Sequence, residues 1–245
     1  MAVVFSQFDA ALALVPLDGS APDKIEVGGG DLPDDSIAMD PNALRGRELF
    51  YTADDRRITS DGLACSSCHP DGAEDGLTWF TPDGPRQTPM LAGRLPRTQP
   101  YGWTRAETTL ESYISGTCSR LGGTGLPPAE LDELAAYVRT LPGPPRNTLY
   151  RPALVAKGKD VFEERGCSSC HRGAIGTDAK THAFRREQPI DTPSLKDVSL
   201  TAPYFHDGRY ATLDELLSDR NSEMGPIGAL SADEREALKA YLGSL

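Results

Sequence analysis

One five-residue pattern occurs twice in this chain, as Cys65-Ser66-Ser67-Cys68-His69 and as Cys167-Ser168-Ser169-Cys170-His171. Two closely spaced thiols followed directly by a histidine match the Cys-x-x-Cys-His pattern that attaches a c-type haem. The thiols add to the two vinyl groups of one porphyrin, and the histidine becomes the first axial ligand of its iron. We therefore predict two covalently bound haems, with attachment at Cys65, Cys68, Cys167 and Cys170 and with His69 and His171 as proximal ligands.

Two other kinds of site use paired cysteines. A zinc ribbon also has four cysteines in two pairs, and a thioredoxin-like redox site has one pair in a βαβ setting. Zinc ribbons keep their pairs within about 20 residues, whereas these pairs lie 102 residues apart. No βαβ pattern surrounds either pair, so the haem interpretation is favoured.

The two motifs lie in an internal duplication. Each is preceded by a similar glycine-led stretch, at residues 46–50 and 158–162. Each is followed by a Thr-Pro step, a Pro-Tyr step and a Thr-Leu-acidic step in the same order, and from Cys65 onward matched positions are 102 to 104 residues apart. Repeated landmarks in one order predict two copies of one folding unit.

The pattern of apolar residues favours helices. Apolar residues recur at helical spacing over 129–138 and 232–242, and Ser231 with Glu234 forms a capping box. Three prolines, beginning at Pro142, end the first copy's helix and form a stiff linker. Because no hairpin or alternating pattern is seen between residues 41 and 245, we expect an all-α fold of two tandem cytochrome-c-like domains, at 41–145 and 150–245.

Residues 1–40 differ from the rest of the chain. Short β-prone runs at 3–5, 11–15 and 24–27 are separated by turn residues. They resemble the last strands of a β-propeller blade that precedes a cytochrome, followed by a linker. Asp31, Asp34 and Asp35 are of the type that binds calcium, although calcium has no further support and a solvated linker is favoured.

Composition limits the partners and the location. The formal net charge is −11 and the pI is about 4.8, which argues against nucleic-acid binding. The acidity suits a basic redox partner, or it merely keeps the chain soluble. No run reaches the roughly 20 apolar residues of a membrane span. The N-terminus does not read as a signal peptide, yet haem attachment occurs outside the cytoplasm, so we expect a piece of a longer exported protein in the periplasm or at the cell surface.

The second axial ligand of each iron is harder to predict. Methionine is the usual choice in electron-transfer haems, and Met224 follows His171 by 53 residues, which is enough for a loop around the porphyrin. Met90 follows His69 by only 21 residues, and its Thr88-Pro89 loop is expected beside the proximal histidine with a carbonyl orienting the ring. Cys118 and His206 are further candidates, whereas His182 and Met39 are expected to be structural.

The segment Thr201-Ala202-Pro203-Tyr204-Phe205-His206-Asp207-Gly208-Arg209 resembles a motif of the bacterial di-haem cytochrome c peroxidase superfamily. That superfamily includes the di-haem enzyme that matures tryptophan tryptophylquinone. The resemblance covers about residues 41–245 and implies two haem domains with a tryptophan relaying electrons between them. Trp103 matches this relay tryptophan, although a structural indole at the domain interface fits the same position.

The chain departs from the family at the peroxide pocket. The family's glutamine and glutamate, about 10 and 20 residues beyond the relay tryptophan, correspond here to Tyr113 and Gly123. The family's ligand position in the second domain corresponds to Arg220, four residues before Met224. Tyr113 and Glu111 are distal-pocket candidates, Glu107 is a possible substitute, and the catalytic residues are unknown.

These departures rank the functions. The leading expectation is electron transfer between two haems and a redox protein or a fused catalytic domain. The alternative is a peroxidase or related oxidase that uses the first haem as the peroxide site, and a purely structural role for haem is the third. Whether the chain is an enzyme stays open at this point, as do the physiological partner and the oligomeric state.

Overall fold

The computed structural model describes residues 2–6, 11–21, 23–26, 40–95, 98–145, 149–183, 189–222, 224 and 230–245. The β-prone N-terminus forms a three-stranded antiparallel sheet of β1 (Ala2–Ser6), β2 (Ala11–Val15) and β3 (Asp23–Glu26), with β2 in the middle. This confirms the β-prone N-terminal prediction. The proposed calcium ligands Asp31, Asp34 and Asp35 and the loop residue Met39 lie outside the described residues.

The remainder is mostly helical. What we call the first half, residues 40–145, contains α1 (Pro41–Tyr51), α2 (Cys65–Cys68), α3 (Leu110–Arg120) and α4 (Pro128–Thr140). Short polar side chains begin two of these helices, because their oxygens satisfy free N–H groups of the first turn. Asp40 accepts from the N–H of Asn42 at 2.8 Å, and Thr109 accepts from that of Ser112 at 3.1 Å.

The second half, residues 149–245, contains α5 (Pro152–Glu164), α6 (Leu213–Ser218) and α7 (Ala232–Leu242). The predicted capping box is confirmed: Ser231 Oγ accepts from Glu234 N at 3.2 Å, and Glu234 Oε2 accepts from Ser231 N at 2.7 Å. Over the described part of the chain, none of the helices combines the length and apolar character needed to cross a bilayer.

Each half is built on the same helix crossing. In the first half α1 packs on α4, and in the second α5 packs on α7. Gly46 and Gly158 lie at these crossings, where an added methyl group would overlap the backbone carbonyl of Glu133 or Ala237. Glycine therefore permits the close approach of the two helices. Separate clusters of buried residues surround the crossings, including Phe50, Leu134 and Val138 in one and Val161, Phe162 and Leu238 in the other.

The expectation of a purely helical fold after residue 40 is wrong in one respect. Each half contains a short antiparallel hairpin: β4 (Thr78–Thr81) pairs with β5 (Gly84–Gln87), and β6 (Thr181–His182) pairs with β7 (Ile190–Asp191). Pro82 and Asp83 form the turn of the first hairpin. Gly84 follows with a φ of +93°, which suits glycine, and Thr81 Oγ1 donates to the Gly84 carbonyl at 2.8 Å. The run Pro82-Asp83-Gly84 is a turn signal that the sequence analysis did not use.

Candidate functional site

The first Cys-x-x-Cys-His motif lies in the wall of a cavity of about 330 Å³. Cys65 and Cys68 begin and end α2, and the N–H of His69 donates to the carbonyl of Cys65 at 2.9 Å. One helical turn thus holds both thiols and the imidazole at the same wall. The remaining wall comes from α1, α3, α4, the β4–β5 hairpin and the segment that leads into α3.

The environment of His69 keeps its ring neutral and oriented. Burial lowers the pKa of the ring to about 4, against the opposing effect of the Ala73 and Pro89 carbonyls. The ring is therefore neutral at pH 7, and Nδ1, which lies 3.3 Å from the Ala73 carbonyl oxygen, is assigned the proton because a carbonyl only accepts. Nε2 keeps its lone pair for a metal. The position of Pro89 agrees with the predicted proximal loop.

The second motif repeats this arrangement. Cys167 begins a short 3₁₀ turn that ends at Ser169, just before Cys170. The Nδ1 of His171 lies 3.0 Å from the carbonyl oxygen of Gly176, and burial lowers the pKa of this ring too. The two histidines therefore have the same protonation and the same kind of orienting partner.

The thiols lie in apolar surroundings. Burial raises the pKa of Cys65 to about 12 and that of Cys68 to about 11, and it also raises the pKa of Cys167. An uncharged thioether to a porphyrin is compatible with these surroundings.

Helix α3 forms a long part of the same cavity wall. Leu110, Ile114 and Gly116 line it, and a methyl group added at Gly116 would meet no atom within 4 Å. A flat apolar group therefore has room against this helix. Together with the neutral imidazole and the uncharged thiols, this space fits a haem.

Polar side chains also reach the cavity. Glu107, Tyr113 and Arg120 line it, with the guanidinium of Arg120 5.8 Å from the centre of the Tyr113 ring and Nη2 donating to Thr117 Oγ1 at 3.0 Å. Sequence reasoning missed Arg120, although its spacing of two helical turns from Tyr113 was a signal. Glu111 is placed elsewhere: it forms an ion pair with Arg139 at 2.7 Å on the α4 side and is not among the lining residues.

The predicted distal ligands lie in different places. Met90 is buried in the first half's core and does not line the cavity. Cys118 lines the cavity and is close enough to Cys65 to affect its pKa. Met224 is 38% exposed next to residues outside the described ranges. His206 is buried where the two halves meet.

The contact between the halves is reciprocal. The N–H of Gln87 donates to the carbonyl of His206 at 2.7 Å, and the N–H of Asp191 donates to the carbonyl of Trp103 at 2.7 Å. Gln87 matches Asp191, and Trp103 matches His206, at the offsets of the duplication. The rings of Trp103 and His206 meet edge to face with centroids 6.2 Å apart, and the indole Nε1 donates to the Gln87 carbonyl at 3.1 Å.

Charged groups also join the two halves. Arg105 forms an ion pair with Asp191, and burial raises the pKa of Asp191 to about 7 against the lowering effect of Arg105. Lys196 Nζ donates to the Gly93 carbonyl at 2.9 Å. Within the first half, Gln87 Nε2 donates to Glu74 at 2.9 Å, and burial raises the pKa of Glu74 to about 7, against the lowering effects of Arg94 and Gln87.

A second matched pair of rings lies on the hairpins. Trp79 Nε1 donates to Asp75 Oδ2 at 2.7 Å, and His182 Nε2 lies 2.9 Å from Asp178 Oδ2. Trp79 lines the first cavity. Cys170, Asp178 and His182 also lie close enough together to hold a metal ion, although the sequence predicts a thioether bond at Cys170, which would exclude thiolate ligation there.

Comparison with known proteins agrees with this architecture. The cytochrome c family model matches residues 155–245, which is most of the second half. The cytochrome c551 peroxidase of Pseudomonas aeruginosa is 25% identical over 273 aligned residues, covering 82% of this chain and 77% of that protein. Cytochrome-c peroxidase IdrP2 of Denitromonas iodatirespirans is 28% identical over 150 residues. That match covers 38% of this chain, and the chain spans about 40% of that relative's length.

Solved structures share the fold. The hydrazine synthase of Kuenenia stuttgartiensis superposes with a TM-score of 0.70 at 21% identity, covering 84% of this chain and 88% of that one. A MauG-like protein associated with microbial copper homeostasis superposes with a TM-score of 0.68 at 22% identity, covering 87% and 91%. Likenesses at this level of identity concern the fold alone.

Proposed function

We propose that the first half of the chain reduces a hydroperoxide with electrons received through its second half. The chain belongs to the superfamily of di-haem cytochrome c peroxidases. The chain carries two c-type haems. In this proposal residues 41–145 and 150–245 are separate haem domains, held by Cys65, Cys68 and His69 and by Cys167, Cys170 and His171. Each haem, when bound, supplies an iron that changes its oxidation state by one electron.

The observation that carries the proposal is the set of polar side chains in the first cavity. Peroxide reduction needs an acid-base group near the O–O bond and a stabilised negative charge. Glu107 provides a carboxylate that can hold and deliver a proton, and Arg120 provides a fixed positive charge. In the described cavity wall, no methionine, and no histidine besides His69, competes with peroxide for the iron.

The contact between the halves suits the second part of the reaction. One hydroperoxide takes up two electrons and two protons when its O–O bond breaks. Because each haem iron changes its oxidation state by one electron, the two electrons must reach the first half one at a time. Trp103 lines the first cavity and touches the second half through His206, which supports its predicted role as the relay. Its N–H donates to a peptide carbonyl, which is no base, so the indole keeps its proton.

A second candidate function is electron transfer without peroxide turnover. Tyr113 and Cys118 both line the first cavity, and either side chain as a second axial ligand would close the iron to peroxide. Met224 remains our proposed axial ligand in the second half, with His206 as its alternative. The donor is proposed to be a redox protein or a fused catalytic domain outside the cytoplasm, where thioether attachment takes place.

Exogenous ligands and a pair of carboxylate variants distinguish the two functions. Azide should shift the ferric spectrum of one haem in the fully haem-loaded protein, and hydrogen peroxide should be consumed with a reduced donor. Glu107→Gln should lower that turnover about 100-fold, as expected for loss of an acid-base group, whereas Glu111→Gln, which removes the ion pair with Arg139, should have a much smaller effect. Two haems that both ignore azide and peroxide would favour electron transfer alone.

A further inference from the structure

The protein has two tryptophans, and both line the first cavity. Trp103 lies at the contact with the second half. Trp79 lies on β4 and is 37% exposed at the surface. The Trp79 side chain therefore extends from the first cavity to solvent.

The hydrogen bonds of the two indoles differ in a chemically important way. Trp103 donates to a peptide carbonyl, which is not a base, whereas Trp79 donates to the carboxylate of Asp75 at 2.7 Å. An oxidised indole becomes strongly acidic at Nε1. At Trp79 the hydrogen-bond acceptor is a carboxylate that can take up this proton, whereas at Trp103 it is a peptide carbonyl that cannot.

We propose that Trp79 is a surface oxidation site, where a phenolic donor too large for the cavity gives up electrons. This rests on the proposed peroxide reduction, which supplies the oxidant. Trp79 loses one electron inward to the oxidised first haem, and its Nε1 proton moves to Asp75 Oδ2. The phenol then returns one electron to the indole and releases its O–H proton to water, while the proton on Asp75 returns to Nε1. Two phenols oxidised to phenoxyl radicals balance one hydrogen peroxide reduced to two waters.

The surroundings of Trp79 favour an aromatic donor. Its neighbour Phe80 is 92% exposed, and Leu77 is 53% exposed. Leu77 lies two residues before Trp79 and Phe80 is the residue after it, so exposed apolar side chains flank the indole on both sides in the sequence. Isolated exposed apolar residues are common, but here they adjoin a ring that also lines the cavity.

The second half provides the matched replacement. His182 occupies the position of Trp79 and makes the equivalent contact with Asp178. Trp79→His therefore introduces a side chain that the matched hairpin of the second half already accommodates, and it removes the oxidisable indole. Asp75→Asn keeps the shape of the partner and removes the proton acceptor. Leu44→Ala, at an exposed apolar position on α1, serves as the distant control.

The test uses the haem-loaded full chain, with peptide mass mapping after hydrogen peroxide is added without a donor. Oxygen should be added at Trp79 in the unaltered protein, and this addition should disappear in His69→Gly, which distinguishes it from damage by bulk peroxide. In steady state with 2,6-dimethoxyphenol, Trp79→His should lower the rate at least tenfold, Asp75→Asn should lower it several-fold, and Leu44→Ala should leave it unchanged.

The outcomes separate this inference from the proposed function. If the unaltered protein consumes no peroxide, both are overturned. If it consumes peroxide while Trp79 stays unmodified and Trp79→His oxidises the phenol at the original rate, only the surface site is overturned. An Asp75→Asn rate equal to that of the unaltered protein would overturn the assignment of Asp75 as proton acceptor.

Discussion

The first and second halves share one backbone arrangement but carry different ring-bearing side chains at matched positions. Both hold a neutral proximal histidine by a carbonyl and cross their main helices at a glycine. Both also pair an aspartate with a ring on the hairpin. Where the first half has Trp79 and Trp103, the second has His182 and His206.

This difference shows what the duplication kept and what it changed. His182 contacts an aspartate carboxylate as Trp79 does, and His206 faces Trp103 across the contact between the halves. An imidazole does not lose an electron as easily as an indole does. The two copies thus retain one geometry, and both tryptophans of the chain line the first cavity.

The largest difference between the halves is expected when each predicted proximal ligand is removed in turn. His69→Gly should abolish peroxide turnover and alter the absorption spectrum of one haem. His171→Gly should alter the other haem and leave the first able to react with peroxide once. Spectra of the two variants, recorded oxidised and reduced, check this, and simultaneous loss of both haems would contradict the division near residues 145–150.

The helix crossings predict a symmetric effect on stability. Gly46→Ala and Gly158→Ala each force a methyl group against a backbone carbonyl, and overpacking of this kind costs about 3 kcal/mol. Each substitution should lower the unfolding midpoint of its own half in thermal denaturation. Leu44→Ala on the exposed face of α1 is the control, and equal destabilisation of both halves by one glycine variant would mean that they unfold as one unit.

The relay residue tests the division of roles more finely. Trp103→His gives the first half the same ring that the second half has at the matched position, His206. It should slow electron transfer between the haems about tenfold, equivalent to about 1.4 kcal/mol in the barrier. Rapid mixing of the reduced protein with peroxide measures this rate. The contact with Asp191 uses the main chain of residue 103, so the halves should stay docked, and an unchanged rate would remove Trp103 from the path.

The smallest predicted effect is a dependence of stability on pH. Burial raises the pKa of Glu74 to about 7 in the folded chain, above its usual value of 4.5, so the folded chain holds this proton more tightly than the unfolded chain. The stability of the first half should therefore fall as pH rises from about 4.5 to 7. Glu74→Gln should reduce that slope in unfolding measurements, whereas Thr177, at the matched position of the second half, has no carboxyl group to titrate.

Local patterns predicted the parts of the molecule that local chemistry determines. The haem motifs, the Ser231 capping box and the N-terminal strands each depend on neighbouring residues. The hairpins were not predicted because their strands are only two to four residues long, which is too short to show an alternating pattern of apolar residues. The link between the halves was not predictable, because it uses the backbone N–H groups of Gln87 and Asp191, which any residue except proline provides.

The exchanged backbone bonds at Gln87 and Asp191 also relate the two halves by symmetry. In a symmetric dimer of identical subunits, a position that meets a second position of the partner is itself met by the same pair in reverse. The two halves of this chain meet in the same way, as quasi-equivalent subunits within one polypeptide. Because matched positions are encoded separately, each half can carry its own side chains around the shared axis.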